Sequence, residues 1–461
     1  MYSFKNKKVL IFGLGLNDGG LGMTEYLVKK GAKVTVTDGK SEEELKSTLK
    51  QLEKYRDRII FHLRGHKEED FLENDIIIRN PAIKPQNEYL QIAEKAGKEI
   101  EMEMSLFHKL TPCPTIGITG TKGKSTTTTL IFEILKEEYG NKIILGGNIG
   151  KSAVRVLDKL DKNHLAVLEL SSFQLDTMGK NQLSPHIAVV TNIYQDHIDW
   201  HSTTDEYIEA KKNIFRYQTS NDYLVVNIDN RVTKKFKDDC PSNVITFSLK
   251  DSKATYFLNS DLEVFHNGKK IFKLDKIQLK GEHNKYNILA AIAATRAYGV
   301  KDVSILKTLE KFKGVPGRQE FVRELNGIKF YNDTTATSVE AVLAMLESFT
   351  PEYKKKIIMI TGGMDKGLDY SQLEKKMRES LKALVLLEGT ASEKIEEQME
   401  GFESIHGLYG DFKEAIMQAY HLGEKGDIVI LCPGATSFNM FANEFDRGKQ
   451  FVNYVNSLEK R

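Results

Sequence analysis

Short apolar runs alternate with segments of helix length along most of the chain. The first run, Lys8–Gly13, ends in glycine and is followed by a helix-length segment and a second run, Lys33–Asp38. Strand, helix and strand in this order are how a parallel sheet begins. Asp75–Arg79 and Glu99–Met102 continue the pattern. The sequence therefore predicts a small α/β domain at the N-terminus.

A second α/β region follows Thr111–Pro114, a segment with two prolines that is typical of a linker. The apolar run Thr115–Thr119 leads into a glycine-rich loop and a helix predicted to begin near Ser125, and four more runs predict buried strands at Lys142–Leu145, Leu165–Leu170, Ile187–Ile193 and Tyr223–Asn227. Between Asn243 and Lys280 the residues alternate, and Asn267-Gly268 is a hairpin turn signal, so we expect a small antiparallel sheet there. Helical spacing returns from Asn284 to Tyr298.

The segment Gly314–Gly317, which contains proline, precedes a third α/β region. Its predicted strands are Lys329–Asn332, Lys356–Thr361, Ala383–Leu387 and Asp427–Cys432. A chain of 461 residues is too long for one ordinary core. We therefore predict three domains, formed by residues 1–110, 111–314 and 315–461.

Composition narrows the class of protein. The 66 Lys and Arg against 64 Asp and Glu give a net charge of +2, which argues against a protein that coats nucleic acid. No apolar run reaches the roughly 18 residues that a membrane span needs, and the N-terminal residues lack a secretory signal pattern. The three cysteines have no metal-like spacing and suit a reducing compartment. We expect a cytoplasmic protein.

The strongest chemical signal is the loop between strand 115–119 and the following helix. It consists of Gly120, Thr121, Lys122, Gly123, Lys124, Ser125 and Thr126. Glycines let backbone N–H groups converge on phosphate oxygens, the lysine reaches the terminal phosphates, and a hydroxyl can hold Mg²⁺. Ile118 stands where the general phosphate-loop pattern has its first glycine. A glycine-rich surface turn is the alternative, but the strand and helix on either side favour a nucleoside triphosphate site.

Polar residues follow the neighbouring strands. Glu169 ends one strand, and Asp196-His197 comes shortly after another, so carboxylate and imidazole groups are placed at the edge where α/β sheets bind ligands. A carboxylate beside a phosphate loop is a hard ligand for Mg²⁺. A solvated cap for Glu169 and a structural role for His197 remain the alternatives.

Three further clusters suggest substrate binding. Gly13-Leu14-Gly15 with Asp38 is an imperfect dinucleotide fingerprint, which leaves a diphosphate-tolerant turn and a carboxylate able to hold a ribose or base. In the last domain, Tyr331–Ser338 and Thr361–Lys366 follow two successive strands, and Ser437 follows a third. Hydroxyls and a lysine at one sheet edge can bind phosphate or carboxylate groups.

Together these motifs resemble the Mur ligases over essentially the whole chain. The resemblance rests on GTKGKST (120–126), GGNIG (146–150), ELSSFQL (169–175), TNI with DHID (191–199), GEHNKYN (281–287), GRQE (317–320), NDTTATS (332–338) and GGMDKG (362–367). It implies a small Rossmann-like N-terminal domain, a central P-loop ATPase-like domain with a small antiparallel sheet, and a Rossmann-like C-terminal domain. In that order they would bind a UDP-linked substrate, ATP and an amino acid.

The branch of the family that it most resembles adds D-glutamate. The implied reaction joins D-glutamate to the L-alanine carboxylate of UDP-N-acetylmuramoyl-L-alanine through an acyl phosphate, in peptidoglycan precursor synthesis. The implied cofactors are ATP and Mg²⁺, the partners are these small substrates, and the protein is expected to be a monomer. Closure of the last domain about Gly314–Gly317 is also expected.

The resemblance assigns residues by position. Lys124 would contact the ATP phosphates, Ser125 and Thr126 would serve phosphate and Mg²⁺, and Glu169 and His197 would hold metal. Lys211, which the sequence alone predicts as an exposed helical lysine, matches a carbamylated lysine that supports a second Mg²⁺; with Lys124 and His197 it forms the implied catalytic set. The remaining nucleotide contacts fall on Asn284, Asn287, Arg318 and Asp333.

For the other substrates, the resemblance implies three groups of residues. They are Leu16, Asn17, Asp38 and Gly39 for the uridine nucleotide; Asn80, Asn148, Ser171 and Gln174 for the muramoyl-alanine; and Thr337, Lys366, Ser437 and Phe445 for D-glutamate. Thr335, Ala82 and Glu444 depart from the family's usual lysine, glycine and aromatic residue. Another amide ligase of the same architecture, such as a folylpolyglutamate synthase or a different Mur ligase, and a nucleotide-binding regulatory protein are the rival interpretations.

Overall fold

The computed structural model describes residues 3–16, 18–149, 151–194, 198–277, 279, 281–365, 367–437 and 440–459. In this part of the chain the strands form three sheets. The strands are β1 Lys8–Phe12, β2 Lys33–Asp38, β3 Ile59–Leu63, β4 Ile76–Arg79, β5 Glu99–Glu101, β6 Thr115–Thr119, β7 Ile143–Gly147, β8 Leu165–Glu169, β9 Ile187–Val190, β10 Tyr223–Asn227, β11 Asn243–Ser248, β12 Tyr256–Leu258, β13 Glu263–His266, β14 Lys269–Lys273, β15 Glu320–Leu325, β16 Ile328–Asn332, β17 Ile357–Gly362, β18 Leu381–Leu387, β19 Ile405–Tyr409 and β20 Ile428–Leu431.

The α-helices alternate with most of these strands. They are α1 Asp18–Lys29, α2 Lys46–Leu52, α3 Glu68–Glu73, α4 Glu88–Lys95, α5 Glu103–Leu110, α6 Lys124–Tyr139, α7 Ser172–Lys180, α8 Ile198–His201, α9 Thr204–Arg216, α10 Phe236–Asp239, α11 Glu282–Ala297, α12 Asp302–Lys311, α13 Val339–Tyr353, α14 Glu374–Ser380, α15 Thr390–Gln398, α16 Phe412–Leu422 and α17 Glu444–Ser457. None of the helices in the described ranges is long and apolar enough to cross a membrane.

The first sheet is parallel throughout and has the order β3-β2-β1-β4-β5. The strand order reverses at β1, because β2 lies on one side of it and β4 on the other. Ligands of open α/β sheets bind at the carboxyl ends of the strands beside such a reversal. The loops that follow β1, β2 and β4 therefore surround the place where this sheet would bind a ligand.

The second sheet has nine strands in the order β14-β13-β12-β11-β10-β9-β6-β8-β7. The pairs from β7 to β12 are parallel, and β12, β13 and β14 pair antiparallel. The hairpin predicted at Asn267-Gly268 is present, with φ of 48° and 76° at its two central residues. These positive angles are those of a type I′ turn. The predicted antiparallel pairing thus holds for β12, β13 and β14, whereas β11 pairs parallel with β10 and β12. These strands extend one edge of the main sheet.

The third sheet has the order β15-β16-β20-β17-β18-β19, and only β15 pairs antiparallel among its described strands. Because β20 lies between β16 and β17, the loops after these three strands lie at one edge. The chain divides into two compact units between Phe312 and Lys313. The first unit holds two sheets that share one continuous set of buried side chains, and the second holds the third sheet. The predicted α/β class is confirmed.

Candidate active site

The crevice of the first sheet is built around Asp38. The carboxylate accepts hydrogen bonds from the backbone N–H of Gly15 and of Lys40, both at 2.9 Å. Asn80, after β4, donates to the Gly13 carbonyl oxygen at 3.2 Å, so the loops after three strands are tied together. They border a cavity of about 500 Å³, lined by Phe12, Gly13, Asp38, Gly39, His66, Ala82, Ile83, Lys84, Gln86 and Asn87. The Leu16 side chain is 47% exposed. Asn17 lies outside the described residues.

The phosphate-type loop between β6 and α6 needs glycine at two positions. Gly120 has φ +152°, and a Cβ there would lie 1.9 Å from Thr191 Oγ1. Gly123 has φ +82°, and its Cβ would lie 2.3 Å from Asn287 Oδ1. The backbone N–H groups of Thr121 and Lys122 donate to the main-chain and side-chain oxygens of Asn192, at 2.9 and 2.8 Å. The first turn of α6 supplies the N–H groups that have no acceptor within the helix.

Two ammonium groups meet at this loop. Lys124 Nζ donates to the carbonyl oxygens of Gly120 and Thr121, each at 3.0 Å. Lys211 Nζ donates to the same Gly120 oxygen at 3.0 Å and to Thr119 Oγ1 at 3.2 Å. Lys211 is only 1% exposed, so the sequence-based prediction of an exposed lysine is wrong. It lies on the buried face of α9, one turn after Tyr207, which is also buried. Two cations beside a glycine loop favour an anionic ligand.

The two asparagines of α11 are brought to the same place. Asn287 Oδ1 accepts from Thr127 Oγ1 at 3.3 Å, and its Nδ2 donates to Asn284 Oδ1 at 3.0 Å. Thr127 lies on α6, so these contacts fix α11 against the start of the phosphate-type loop helix. Ser125 is buried on this first turn, and Thr126 is partly exposed.

Glu169 is the carboxylate at this edge of the second sheet. It ends β8, is 1% exposed, and accepts from Asn148 Nδ2 at 3.0 Å through Oε1. Its Oε2 is buried and has no hydrogen-bond partner among the residues that the structure describes. An unpartnered buried carboxylate oxygen fits a hard cation such as Mg²⁺, because a buried carboxylate otherwise bears an uncompensated desolvation cost. His197 lies outside the described residues, and the part of the chain that is described contains no cluster of three or more metal-ligating side chains.

The two predicted substrate residues of α7 are engaged with each other. Ser171 caps the helix by accepting from the Gln174 N–H at 3.3 Å, while Gln174 Oε1 accepts from the Ser171 N–H at 3.0 Å. Gln174 is buried and Ser171 is partly exposed. The cap therefore fixes both side chains just beyond β8, at the edge that also carries Glu169.

In the second unit, Asp333 follows β16 and is almost fully buried. Burial raises its pKa to about 7, although the N–H of Gln319 donates to it at 3.1 Å and the charge of Arg318 acts in the opposite direction. Thr335, which stands where the Mur ligases usually have lysine, donates a hydrogen bond from its hydroxyl to the Gly317 carbonyl oxygen at 2.9 Å. These contacts join the loop after β16 to the segment that carries Arg318.

The D-glutamate candidates lie on loops of the same sheet. Ser437 is 2% exposed, and within the described ranges its hydroxyl oxygen has no hydrogen-bond partner. Thr337 is partly exposed after β16, whereas Phe445 is 66% exposed on α17. Lys366 lies outside the described residues. The structure thus gives Ser437 an unused hydroxyl at the edge of the sheet, and it does not bury Phe445.

The sequence analysis did not identify two residues that the structure places at possible functional positions. His66 lines the cavity of the first sheet. It follows β3, a strand that was not predicted. Arg447 is fully buried, donates to Thr334 Oγ1 at 3.1 Å and to the Thr334 carbonyl oxygen at 2.9 Å, and has a pKa lowered to about 10 by burial. The next residue, Gly448, lies within α17, where a Cβ would meet Thr334. A glycine inside a helix is a weak sequence signal that another segment packs closely there.

Family models match all three regions of the chain. The Mur ligase MurD-like N-terminal domain matches residues 7–101, the Mur ligase middle domain matches residues 118–295, and the Mur ligase glutamate ligase domain matches residues 317–435.

Named relatives are similar over nearly the full length. The chain is 39% identical to the UDP-N-acetylmuramoylalanine--D-glutamate ligase of Roseiflexus sp. (strain RS-1), covering 98% of this chain and 99% of the relative. It is 40% identical to the ligase of the same name from Acetivibrio thermocellus, covering 99% and 97%.

Solved structures share the fold at lower identity. The UDP-N-acetylmuramate-alanine ligase of Thermotoga maritima has a TM-score of 0.60 and 21% identity, over 98% of this chain and 99% of that one. E. coli FolC, solved with DHPP and ADP, has a TM-score of 0.59 and 16% identity, over 77% of this chain and 93% of that one. These likenesses concern the fold alone.

Proposed function

The chain belongs to the Mur ligase family, and we propose that it joins D-glutamate to the L-alanine carboxylate of UDP-N-acetylmuramoyl-L-alanine at the expense of ATP. The observation that carries this proposal is one arrangement in the second sheet. Lys124 and Lys211 meet at the glycine loop after β6, and the neighbouring β8 ends in Glu169, whose Oε2 has no hydrogen-bond partner among the described residues. Phosphate binding and a metal-ready carboxylate at one sheet edge suit phosphoryl transfer.

The chemistry needs activation because a carboxylate is a poor electrophile. A carboxylate oxygen of the alanine attacks the γ-phosphorus of ATP, ADP leaves, and an acyl phosphate forms. The amine of D-glutamate, after losing a proton, then attacks the acyl carbon, and the tetrahedral intermediate expels inorganic phosphate to give the amide. Lys124 would neutralise charge on the transferring phosphoryl group.

Mg²⁺ belongs to this proposal as the partner of ATP. Glu169, Ser125 and His197 would hold it, with Lys211 supporting a second ion if its amine is carbamylated. The bound ion would neutralise phosphate charge. Asn148 fixes the Glu169 carboxylate through Oε1, which leaves Oε2 for the ion.

Each substrate would be bound by its own group of residues. The uridine nucleotide would lie in the crevice with Leu16, Asn17, Asp38 and Gly39, and the muramoyl-alanine would reach Asn80, Asn148, Ser171 and Gln174. The remaining groups would be Asn284, Asn287, Arg318 and Asp333 for the nucleoside and phosphates of ATP, and Thr337, Lys366, Ser437 and Phe445 for D-glutamate. We further propose that the protein acts as a monomer in the cytoplasm, where ATP is supplied.

ADP release tests the proposal. The enzyme is supplied with ATP, Mg²⁺ and UDP-N-acetylmuramoyl-L-alanine, and with D-glutamate, L-glutamate, L-lysine or no acceptor. We expect sustained ADP release with D-glutamate alone. Equal release with and without D-glutamate would contradict the proposal, as would a preference for L-lysine. A folate substrate in place of the UDP compound tests the folylpolyglutamate synthase alternative, which the match to a MurD-like N-terminal domain disfavours.

A further inference from the structure

His66 is a cavity residue to which no role has yet been given. It lines the 500 Å³ crevice of the first sheet together with Asp38 and Gly39. The imidazole packs edge-on against Phe12 and Tyr89, with ring centroids 4.8 and 5.5 Å away. A Cβ built on Gly39 would lie 3.9 Å from His66 Nε2. This nitrogen therefore lies on the side of the ring next to Gly39, which also lines the cavity.

The hydrogen bonds of Thr37 fix which ring nitrogen carries the proton. Thr37 Oγ1 lies 3.2 Å from the Gly65 carbonyl oxygen and 2.8 Å from His66 Nδ1. A carbonyl oxygen can only accept, so the single hydroxyl hydrogen is used on Gly65. Both contacts of Thr37 Oγ1 are satisfied when Nδ1 carries the ring hydrogen and donates it to this oxygen. In the neutral ring this leaves Nε2 with a lone pair and no hydrogen.

The surroundings keep the ring neutral. Burial lowers the pKa of His66, and this effect outweighs the carboxylates of Asp38 and Asp70, which act to raise it. The other charged residue on the cavity wall is Lys84. Among the described residues, none forms a hydrogen bond with His66 Nε2. The crevice therefore presents one acceptor nitrogen that no residue of the described ranges uses.

We infer that His66 is a specificity residue of the crevice, whose Nε2 accepts a hydrogen bond from an N–H or O–H group of the uridine moiety. The inference rests on the proposed function, since it concerns the nucleotide end of the proposed substrate. Uracil carries an imide N–H and the ribose carries hydroxyls, so both offer a donor to a bare imidazole nitrogen. Cytosine has no N–H at the corresponding ring position and would be disfavoured if the base is the partner.

Three substitutions separate the two ring nitrogens. In His66→Gln the amide oxygen reaches the place of Nε2, in His66→Asn the amide reaches only the place of Nδ1 and Thr37, and His66→Leu keeps neither. The KM for UDP-N-acetylmuramoyl-L-alanine should rise about tenfold in the Asn and Leu variants and stay within about threefold in the Gln variant, as expected for one lost neutral hydrogen bond. The KM values for ATP and D-glutamate are the controls and should not change.

Inhibition by UDP analogues identifies the donor. UDP, its N3-methyl derivative, and its 2′-deoxy and 3′-deoxy forms are compared as competitive inhibitors of wild type and His66→Leu. The analogue that lacks the partner of His66 should bind about tenfold more weakly than UDP to wild type and as well as UDP to the Leu variant. Either a base or a ribose partner supports the inference.

Two results would overturn it. One is an Asn variant with the wild-type KM, which would make the Thr37 contact the whole role of His66. The other is a set of analogues whose losses are the same in wild type and the Leu variant. A wild-type enzyme that releases ADP normally in either case would leave the proposed function standing. If wild type neither binds UDP nor uses the UDP substrate, the proposed function fails and the inference with it.

Discussion

At the scale of single residues, we predict most specifically what a substitution of Glu169 does to turnover and to the Mg²⁺ requirement. Glu169→Gln keeps an oxygen for Asn148 Nδ2 but removes the charge from the buried, unpartnered end of the side chain. We expect turnover to fall at least about 100-fold and the Mg²⁺ requirement to rise, because one metal ligand is weakened. The free energy of unfolding should stay equal or increase, since no ion pair is broken.

The matched control is Glu138→Gln on α6, whose carboxylate contacts Lys301 and Ser304. This variant should keep the wild-type Mg²⁺ requirement. Urea unfolding and Mg²⁺ titration of ADP release measure the two effects. A Glu169→Gln enzyme that is unstable but has normal Mg²⁺ dependence would assign the carboxylate to the fold instead.

The raised pKa of Asp333 leads to a prediction of how the free energy of unfolding depends on pH. Its folded pKa of about 7 lies above the ordinary value of 3.8. Its contribution to stability is therefore full below about pH 4 and is lost as the pH rises through 7, because the unfolded chain ionises first. Asp333→Asn removes this titration, so the melting temperature of the variant relative to wild type should rise by about 3 °C or more between pH 5 and pH 8.

Asp369→Asn is the control for this effect. Its carboxylate is exposed and has a lowered pKa because of hydrogen bonds from Ser371, so its titration falls below the window from pH 5 to pH 8. The difference in melting temperature from wild type should stay constant there. Glu103, with a pKa raised to about 7 by burial, titrates in the same window and accounts for pH dependence that remains in Asp333→Asn. Parallel wild-type and Asp333→Asn profiles would contradict the prediction.

At the scale of elements, the two ends of α6 offer a matched pair of glycines. Gly123 and Gly140 both have positive φ, but only Gly123 has a neighbour, Asn287, within reach of a new Cβ. Gly123→Ala should raise the KM for ATP at least about tenfold, because backbone strain and the clash act at the loop. Gly140→Ala should cost about 1 kcal/mol of stability with an unchanged KM for ATP. Equal KM values would argue that the loop does not hold the nucleotide.

The elements also show where sequence reasoning succeeds. The strands buried on both faces were predicted because their residues form continuous apolar runs, as in β6, β8 and β20. The strands that were not predicted, β3, β15 and β19, all lie at sheet edges and are partly exposed. Edge strands have no two-sided burial to impose such a run. His66 follows β3, so its place in the crevice was missed for the same reason.

Other features of the site depend on contacts that no linear pattern carries. The order of motifs located the phosphate-type loop and Glu169, because strand ends in a parallel sheet share one edge. The burial of Lys211 required knowledge of which face of α9 packs on the sheet. The proton on His66 depends on a threonine and a carbonyl oxygen that come together only in the fold.

At the scale of the whole molecule, the first two sheets act as one body. Arg155, beyond β7, forms ion pairs with Asp18 and Glu25 on α1, and the two sheets share a continuous core. The crevice of the first sheet and the loop of the second are thus held within a single compact unit. A net charge of +2 conceals this arrangement, in which Lys124 and Lys211 meet at one loop.

The most direct test of the proposed reaction follows the oxygen of the accepting carboxylate. UDP-N-acetylmuramoyl-L-alanine labelled with ¹⁸O in its alanine carboxylate is incubated with ATP, Mg²⁺ and D-glutamate, and the phosphate and the UDP product are analysed by mass spectrometry. An acyl phosphate predicts one ¹⁸O in the released phosphate, and an amide product that contains one added glutamate residue and keeps the other ¹⁸O. Unlabelled phosphate, or ADP formed without the amide product, would contradict the account.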